Sequence, residues 1–317
     1  MKKLDKIKTI ADDIKTITIQ WATNIAIAAF SVMKLELNTL DFNNLDEFCD
    51  FVLKWSKMLM EARGTEPMLF NWMKYMLSAV ENWKLKVKSG DLSLDELKKK
   101  TIDSLDEFMG RVEKEKKIRK DFGAELINDW DTIFTHCHSS SAIWIFKQAH
   151  YSWKNIHVYN DETRPLYQWR KTSKSLVEAW IQNTMVTDGS STFFVDNMYE
   201  NHVHIDKVII GCDSIRINWD VLNKVWSFGI WLAAHHSKIP VYIAGSLMKV
   251  DVTNNIEIEK RSANEVWEDR PKRLEILNYA FDMIPAEFIT WIITEFGIIK
   301  PKDIKKMVKK HYPWMLE

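Results

Sequence analysis

Apolar residues recur at helical spacing through the first third of the chain and in short β-branched runs after it. Within Leu45 to Glu61, the positions Phe48, Phe51, Val52, Trp55, Met58 and Leu59 line one helix face, with Asn43 or Asn44 as its cap. A second helical stretch follows Asn71. Ser93 and Glu96 have the spacing of a capping box that opens a long charged helix to Lys120. The mixed-charge run Glu113 to Asp121 reads as a solvated face and linker.

After residue 124 the period changes. Runs at Thr132 to Thr135, Ile156 to Tyr159, Met185 to Thr187, Lys207 to Ile210 and Val241 to Ala244 alternate with longer helical patterns, which predicts a parallel sheet with crossover helices. Polar residues gather just beyond these runs: His136, Cys137, His138 and Ser139; Glu162 and Arg164; Asp188; Asp213; Gly245 and Ser246. In an open α/β sheet the ligand crevice lies at the carboxyl ends of the strands, so five strand ends point to one site. The expected fold class is α/β, with a helical N-terminal domain over residues 1–120 and a Rossmann-like parallel-sheet domain over 121–317.

The 317 residues carry 44 basic and 44 acidic side chains and are 46% hydrophobic, which fits a folded globular protein and argues against a nucleic-acid-binding surface spread over the whole molecule. Small phosphorylated ligands and a local basic patch stay open. The apolar stretch Ala22 to Met33 is too short to span a bilayer and lacks a cleavage-site pattern, so neither a membrane partner nor export is expected. Cys49, Cys137 and Cys212 are odd in number and lack CxxC spacing, which argues against a disulfide framework or structural zinc and for the reducing cytoplasm. No Walker loop, GxSxG elbow or GxGxxG occurs. One count is abnormal: 15 Trp stand beside only 9 Gly, where average usage gives roughly 22 Gly. The excess of one nearly cancels the deficit of the other.

Cys137 ends a strand beside two histidines, which would lower its thiol pKa and make it a proton donor or nucleophile; a bland buried cysteine is the alternative. His136 and His138 share one side of an extended strand, so a metal site with Cys137 would be awkward and a metal-free site is expected. Asp213 follows the apolar run Val208 to Gly211, where partial burial would raise its pKa toward that of a working acid or base, unless it caps the next helix. Asn223 and Lys224 are expected to begin a further helix and to bind an anion, as are Arg63, Arg164 and Lys249; each alone is otherwise a surface polar group.

The order of Thr135-His136-Cys137-His138-Ser139, Glu162-Thr163-Arg164-Pro165 with Gln168, Gly211-Cys212-Asp213-Ser214-Ile215, Asn223-Lys224, Ile258-Glu259-Lys260-Arg261 with Glu265-Val266, Asn278 with Ala280-Phe281-Asp282, and Ile293-Thr294-Glu295 resembles the ribose-1,5-bisphosphate isomerases. Methylthioribose-1-phosphate isomerase and the regulatory subunits of the guanine nucleotide exchange factor for translation initiation factor two share that fold. The His138-Ser139 continuation looks like the bisphosphate enzymes rather than the methylthioribose ones, and the regulatory subunits generally lack the Cys and Asp pair. The resemblance implies Cys137 and Asp213 as a cofactor-free, metal-free catalytic pair. Asp213 would handle hydroxyl and ring-oxygen protons and Cys137 the proton on carbon, with the opposite assignment open, as is the choice between an enediolate path and a hydride shift. It further implies substrate contacts from Gln20, Trp21, Ala22, Arg63, His138, Ser139, Arg164, Gln168, Asn223, Lys224 and Lys249, a substrate held between the domains, homo-oligomers from dimer to hexamer, and AMP as effector.

The departures from that family fall on glycine. Trp21, Trp130, Trp144, Trp153, Trp169, Trp180, Trp219, Trp226 and Trp291 stand at family glycines, whereas Trp267 looks like a family tryptophan. The family's Arg-Gly-Ala reads Gln20-Trp21-Ala22 here, its Arg-Pro-Thr reads Arg63-Gly64-Thr65, and Cys212 replaces an alanine. The pattern suggests a gene in which UGA encodes glycine, read here as tryptophan. A Trp-rich, inactive relative is the alternative.

Overall fold

The computed structural model describes residues 5–197, 203–253 and 258–316. The chain forms two compact units, one up to Lys114 joined by the segment from Tyr312, the other Glu115–His311. The first contains α1 (Asp5–Lys15), α2 (Ala22–Thr39), α3 (Leu45–Ala62), α4 (Pro67–Lys88) and the first turns of α5 (Leu94–Glu125). Asn44 caps α3, its side chain accepting from Glu47 N–H at 2.9 Å. Ser93 and Glu96 form the reciprocal capping box, with Ser93 N–H donating to the carboxylate at 2.8 Å and Glu96 N–H to the Ser93 hydroxyl at 3.2 Å. On α3, Phe48, Val52, Trp55 and Leu59 are buried as the periodicity requires, while Phe51 and Met58 are half-buried. Phe108 joins α5 to this core, its ring 4.4 Å from Phe30 and 4.9 Å from Trp72.

The run Glu113 to Asp121 is not a solvated linker. It lies inside α5, and Glu115 and Arg119 are buried. Arg119 meets Glu295 at 3.3 Å, and the Ser246 hydroxyl lies within hydrogen-bond reach of both Glu115 and Glu295. Pairing of this kind lets charged side chains leave water. A charge run read by composition alone cannot show such partners, because Ser246 and Glu295 lie far away along the chain.

The second unit continues through β1 (Thr132–Thr135), α6 (Ser140–Tyr151), β2 (His157–Asp161), α7 (Trp169–Val177), β3 (Gln182–Val186), α8 (Asp188–Val195), β4 (Lys207–Gly211), β5 (Ser214–Arg216), β6 (Val221–Lys224), α9 (Ser227–His236), β7 (Val241–Ala244), β8 (Val250–Asp251), β9 (Phe281–Ile284), β10 (Trp291–Thr294), β11 (Gly297–Ile299) and α10 (Ile304–His311). The main sheet has the order β11-β10-β7-β4-β1-β2-β3, parallel except where β11 runs against β10. Its central strands β4 and β7 are buried throughout, whereas the edge strand β3 begins with Gln182, Asn183 and Thr184, which suits an exposed rim. The smaller sheet, β8-β5-β6-β9, had no sequence signal because its strands are two to four residues long.

Strand order reverses between β1 and β4. Right-handed crossovers then put α6 and α7 on one face and α8 and α9 on the other. The first face packs Ile145, Phe146 and Leu176 with Ile133, Val158 and Ile209. Gly123 of α5 permits the close approach, since a Cβ there would stand 2.4 Å from Ile145.

Helix ends carry the least expected feature. At the end of α4, Gly90 at φ 84° donates to Val87 O and Asp91 to Lys86 O, the paired bonds of a Schellman motif whose left-handed position favours glycine. At the end of α6 the same bonds run from Trp153 to His150 O and from Lys154 to Ala149 O; after α7 they run from Trp180 to Val177 O and from Ile181 to Leu176 O. Trp153 and Trp180 therefore sit at φ 65° and 61°. In the β5–β6 hairpin, Trp219 donates to Arg216 O and Arg216 to Asp220 O, which makes Trp219, at φ 87°, the left-handed residue of a glycine-type bulge. Trp21, Trp130 and Trp226 also have positive φ. Among the described residues, Lys238 after α9 closes the same pair of bonds at φ 56°, and Ile17 after α1 donates to Ile14 O at φ 64°.

Candidate active site

In a doubly wound sheet the crevice opens at the carboxyl ends of the strands where the order reverses. Here those ends carry Thr135-His136-Cys137-His138 after β1 and Cys212-Asp213 after β4. Cys137 has left the strand for a left-handed conformation, φ 62°. The Thr172 hydroxyl of α7 holds its carbonyl at 2.7 Å. Ser139 caps α6, accepting from Ala142 N–H at 3.3 Å. Only glycine fits across from that cap: a Cβ on Gly211 would lie 2.4 Å from the Ser139 hydroxyl oxygen.

The flanking histidines do not acidify Cys137. Burial pushes its thiol up to about 12; Lys224 opposes this and the Asp213 charge adds to it. The sequence reading failed because neither ring is available. His136 is turned into the interior, its Nδ1 2.6 and 2.8 Å from the two Asp161 carboxylate oxygens. His138 faces the Thr172 hydroxyl at 3.2 Å, and burial depresses it to about 4, so it is neutral. Cys137 is thus a proton-bearing thiol whose Sγ reaches Gln168 Oε1 at 3.4 Å. Cys212 is likewise pushed up by burial, to about 11, and its sulfur leaves no room for a side chain at Gly245.

Asp213 does not cap a helix: β5 follows it, and its backbone N–H donates to Leu222 O at 3.0 Å. Asn223 and Lys224 do not begin a helix either. They end β6, and α9 starts at Ser227, because Val221 to Lys224 pair with β9. Both are buried, so neither is the surface polar group that either would be alone. Asn223 donates to Ser227 Oγ at 2.8 Å, and the Lys224 ammonium lies 4.6 Å from the Phe281 ring centroid. Lys249 caps the Cys212 carbonyl at 2.5 Å. Arg164 is exposed, with its guanidinium 5.5 Å from the Tyr167 ring centroid. Gln20, Trp21, Ala22 and Arg63 belong to the helical unit, where Trp21 precedes α2 and Arg63 pairs with buried Glu66 at 3.0 Å. The sheet unit thus gathers Cys137, His138, Ser139, Gln168, Asp213, Asn223, Lys224 and Lys249 at or beside its strand ends.

Sequence reasoning placed Asp188 at a strand end but gave no role to it or to the other carboxylates beside these groups. Asp188 accepts from Thr163 and Arg164 N–H, both at 2.7 Å, and burial raises its pKa. Asp282 caps α9 by accepting from Trp226 N–H at 2.8 Å and Phe228 N–H at 3.1 Å, and burial pushes it up to about 6. Asp282 was visible only as a letter in a motif, and Asp161, just past the run Ile156 to Tyr159, was not singled out. Among the described residues, no three His, Cys, Asp or Glu side chains are grouped to hold a metal ion. No described helix is long and apolar enough to cross a membrane.

The profile of the Initiation factor 2 subunit family matches residues 18–301. Ribose 1,5-bisphosphate isomerase of Methanocaldococcus jannaschii is 33% identical over 99% of this chain and 98% of its own. The crystal structure of translation initiation factor eIF-2B from Pyrococcus horikoshii superposes with a TM-score of 0.79 at 22% identity, covering 94% of this chain and 98% of that one. That of 5-methylthioribose 1-phosphate isomerase from the same organism gives 0.77 at 25% identity, covering 98% and 88%.

Proposed function

The chain belongs to the Initiation factor 2 subunit family, and within it we propose an aldose-ketose isomerase that converts ribose 1,5-bisphosphate to ribulose 1,5-bisphosphate. One observation carries the reading: Cys137 and Asp213 stand at the carboxyl ends of the two strands that flank the switch point, in a chain that matches a bisphosphate isomerase over its full length. A phosphate on carbon 1 locks the sugar ring, so an acid must protonate the ring oxygen before hydrogen moves from carbon 2 to carbon 1. A thiol held near 12 carries that proton at neutral pH. On this reading Cys137 gives that proton to the ring oxygen; the thiolate left behind takes the proton from carbon 2 and returns it to carbon 1. Asp213 accepts the proton of the hydroxyl on carbon 2 as that carbon becomes the ketone, and this proton then passes to the Cys137 thiolate, which restores both groups. Buried Lys224 and Asn223 supply charge and a donor for one phosphate, with Gln168, His138, Ser139, Arg164 and Lys249 near the reacting end. The resemblance adds Gln20, Trp21, Ala22 and Arg63 as substrate contacts.

The same reading places the enzyme in nucleotide salvage in the cytoplasm, as a homo-oligomer from dimer to hexamer with AMP as effector. It also treats the nine tryptophans at family glycines as UGA codons that specify glycine. Six of those nine, Trp21, Trp130, Trp153, Trp180, Trp219 and Trp226, have positive φ; Trp55, Trp72, Trp83, Trp231, Trp267 and Trp314 do not. A bulky residue in that region costs about 1–2 kcal/mol. Six such costs together are comparable to the roughly 5–15 kcal/mol that keeps a domain folded. Trp144, Trp169 and Trp291 lie in ordinary helix or strand positions, so for them the resemblance alone argues. UGG codons at Trp153, Trp180 and Trp219 would sink the recoding.

The deciding assay offers ribose 1,5-bisphosphate and methylthioribose 1-phosphate in parallel to the glycine-restored protein and detects each ketose. Turnover of the bisphosphate alone is expected. Turnover of the methylthio sugar alone would move the chain to that enzyme, and none in a folded protein would move it to a non-catalytic, nucleotide-sensing role.

A further inference from the structure

His136, beside Cys137 at the end of β1, faces inward, and no step above uses it. Its side chain and that of Asp161 are both completely buried. The second ring nitrogen, Nε2, lies 3.0 Å from the carbonyl oxygen of Val225. A carbonyl only accepts, so Nε2 carries a hydrogen. Nδ1 faces a carboxylate, so a second proton is shared there, and the pair is net neutral in its burial. Thr163 adds a hydroxyl donor to Asp161 at 3.3 Å. Burial is the largest single influence and would discharge the imidazolium, but the Asp161 charge and hydrogen bond, with Asp282 and Asp188 added, together exceed it and hold the ring above its ordinary pKa.

Val225 lies between Lys224 and the start of α9. The turn it occupies is gripped from several sides: Val225 N–H donates to Ala280 O at 3.0 Å, the Ser227 hydroxyl to Lys224 O at 2.6 Å, and Asp282 receives Trp226 N–H. Among the bonds on this turn, His136 Nε2–H to Val225 O ties it to the end of β1, one residue from the reactive thiol.

We propose that His136 and Asp161 are a positioning pair that clamps the Lys224-bearing turn to the end of β1 beside Cys137. The hydrogen bond to Val225 sets the height of Lys224 over the crevice; Asp161 fixes the ring so that Nε2 points at that carbonyl. This inference rests on the reading above for what Lys224 binds, but the clamp is testable without it.

The test compares His136→Gln, Asp161→Asn and the double variant. In His136→Gln the amide can still donate to Val225, but its oxygen meets the Asp161 carboxylate and is repelled. Adding Asp161→Asn turns that repulsion into a hydrogen bond. His136→Gln is expected to lose at least about 10-fold in kcat/KM for ribose 1,5-bisphosphate, chiefly through KM, and the double variant to return to within about 3-fold of wild type. Asp161→Asn alone, which leaves a neutral ring donating to Val225, is expected to stay within about 3-fold. A folded His136→Gln with wild-type KM, or no recovery in the double variant, overturns the clamp. Should His136→Gln not fold, the state of the wild-type ring decides. An independent arm reads the ring itself. Nitrogen-15 spectra of the wild-type protein are expected to show hydrogen on both His136 nitrogens from about pH 6 to 8. A bare Nε2 overturns the clamp whether or not either sugar phosphate is turned over.

Discussion

Cys137 and Asp213 follow β1 and β4, two adjacent parallel strands paired through Ile133 with Lys207 and Phe134 with Val208, at the point where the order of the sheet reverses. Register brings the two residues to one rim although 76 positions separate Cys137 from Asp213 along the chain. Each is therefore expected to be indispensable on its own. Cys137→Ser and Asp213→Asn should each lower kcat by about 100-fold or more, with the unfolding midpoint in urea unchanged. A rate near wild type in either variant removes that residue from the mechanism.

The neutral thiol makes a reactivity prediction that separates it from nucleophilic cysteines. With its pKa near 12, Cys137 is a thiolate in only about one molecule in ten thousand at pH 8. Iodoacetamide should label it at least about 100-fold more slowly in the folded enzyme than in urea. Mass mapping of the labelled peptide checks this. The same value predicts no alkaline fall in kcat/KM from this thiol below about pH 10.

The left-handed tryptophans predict stabilising substitutions of an unusual kind. Trp153→Gly, Trp180→Gly and Trp219→Gly should each raise unfolding stability by about 1 kcal/mol, because glycine reaches positive φ without a Cβ clash. Trp72→Gly is the control: Trp72 is buried in the helical core at ordinary φ, and removing it should cost at least about 3–5 kcal/mol. Equal losses in both groups would mean that the indoles at the helix ends belong there.

Asp282 predicts a stability profile that runs against the usual one for carboxylates. Its folded pKa of about 6 lies above the ordinary 3.8, so the folded state binds the proton more tightly. The stability this adds is full below about pH 4 and lost as pH rises through about 6. Relative to Asp282→Asn, which keeps an oxygen to cap α9, the wild type should lose at most about 3 kcal/mol between pH 4 and 7. Urea unfolding of the two proteins at each pH measures the difference; a flat difference means that Asp282 titrates as if exposed.

Much of the architecture was legible because it rests on local rules. The runs Thr132 to Thr135 and Val241 to Ala244 are strands with those bounds, and the Ser93–Glu96 capping box forms as spaced. Asn223 and Lys224 were misread as a helix start because their pairing partner, β9, lies almost sixty residues downstream. The charge run through Arg119 misled for the same reason.

The sequence by itself placed most of the helices and the main-sheet strands, pointed to the polar residues beyond those strands, and showed an excess of tryptophan over glycine; periodicity, capping and composition act over a few residues and need no fold to be read. Tertiary structure alone decided that Cys137 keeps its proton, that His136 is spent on Asp161 and Val225, and that six of those tryptophans have left-handed backbones. A pKa depends on the burial and charges that distant segments bring to a group, and a backbone angle on the bonds its turn closes. Neither exists until the chain has folded.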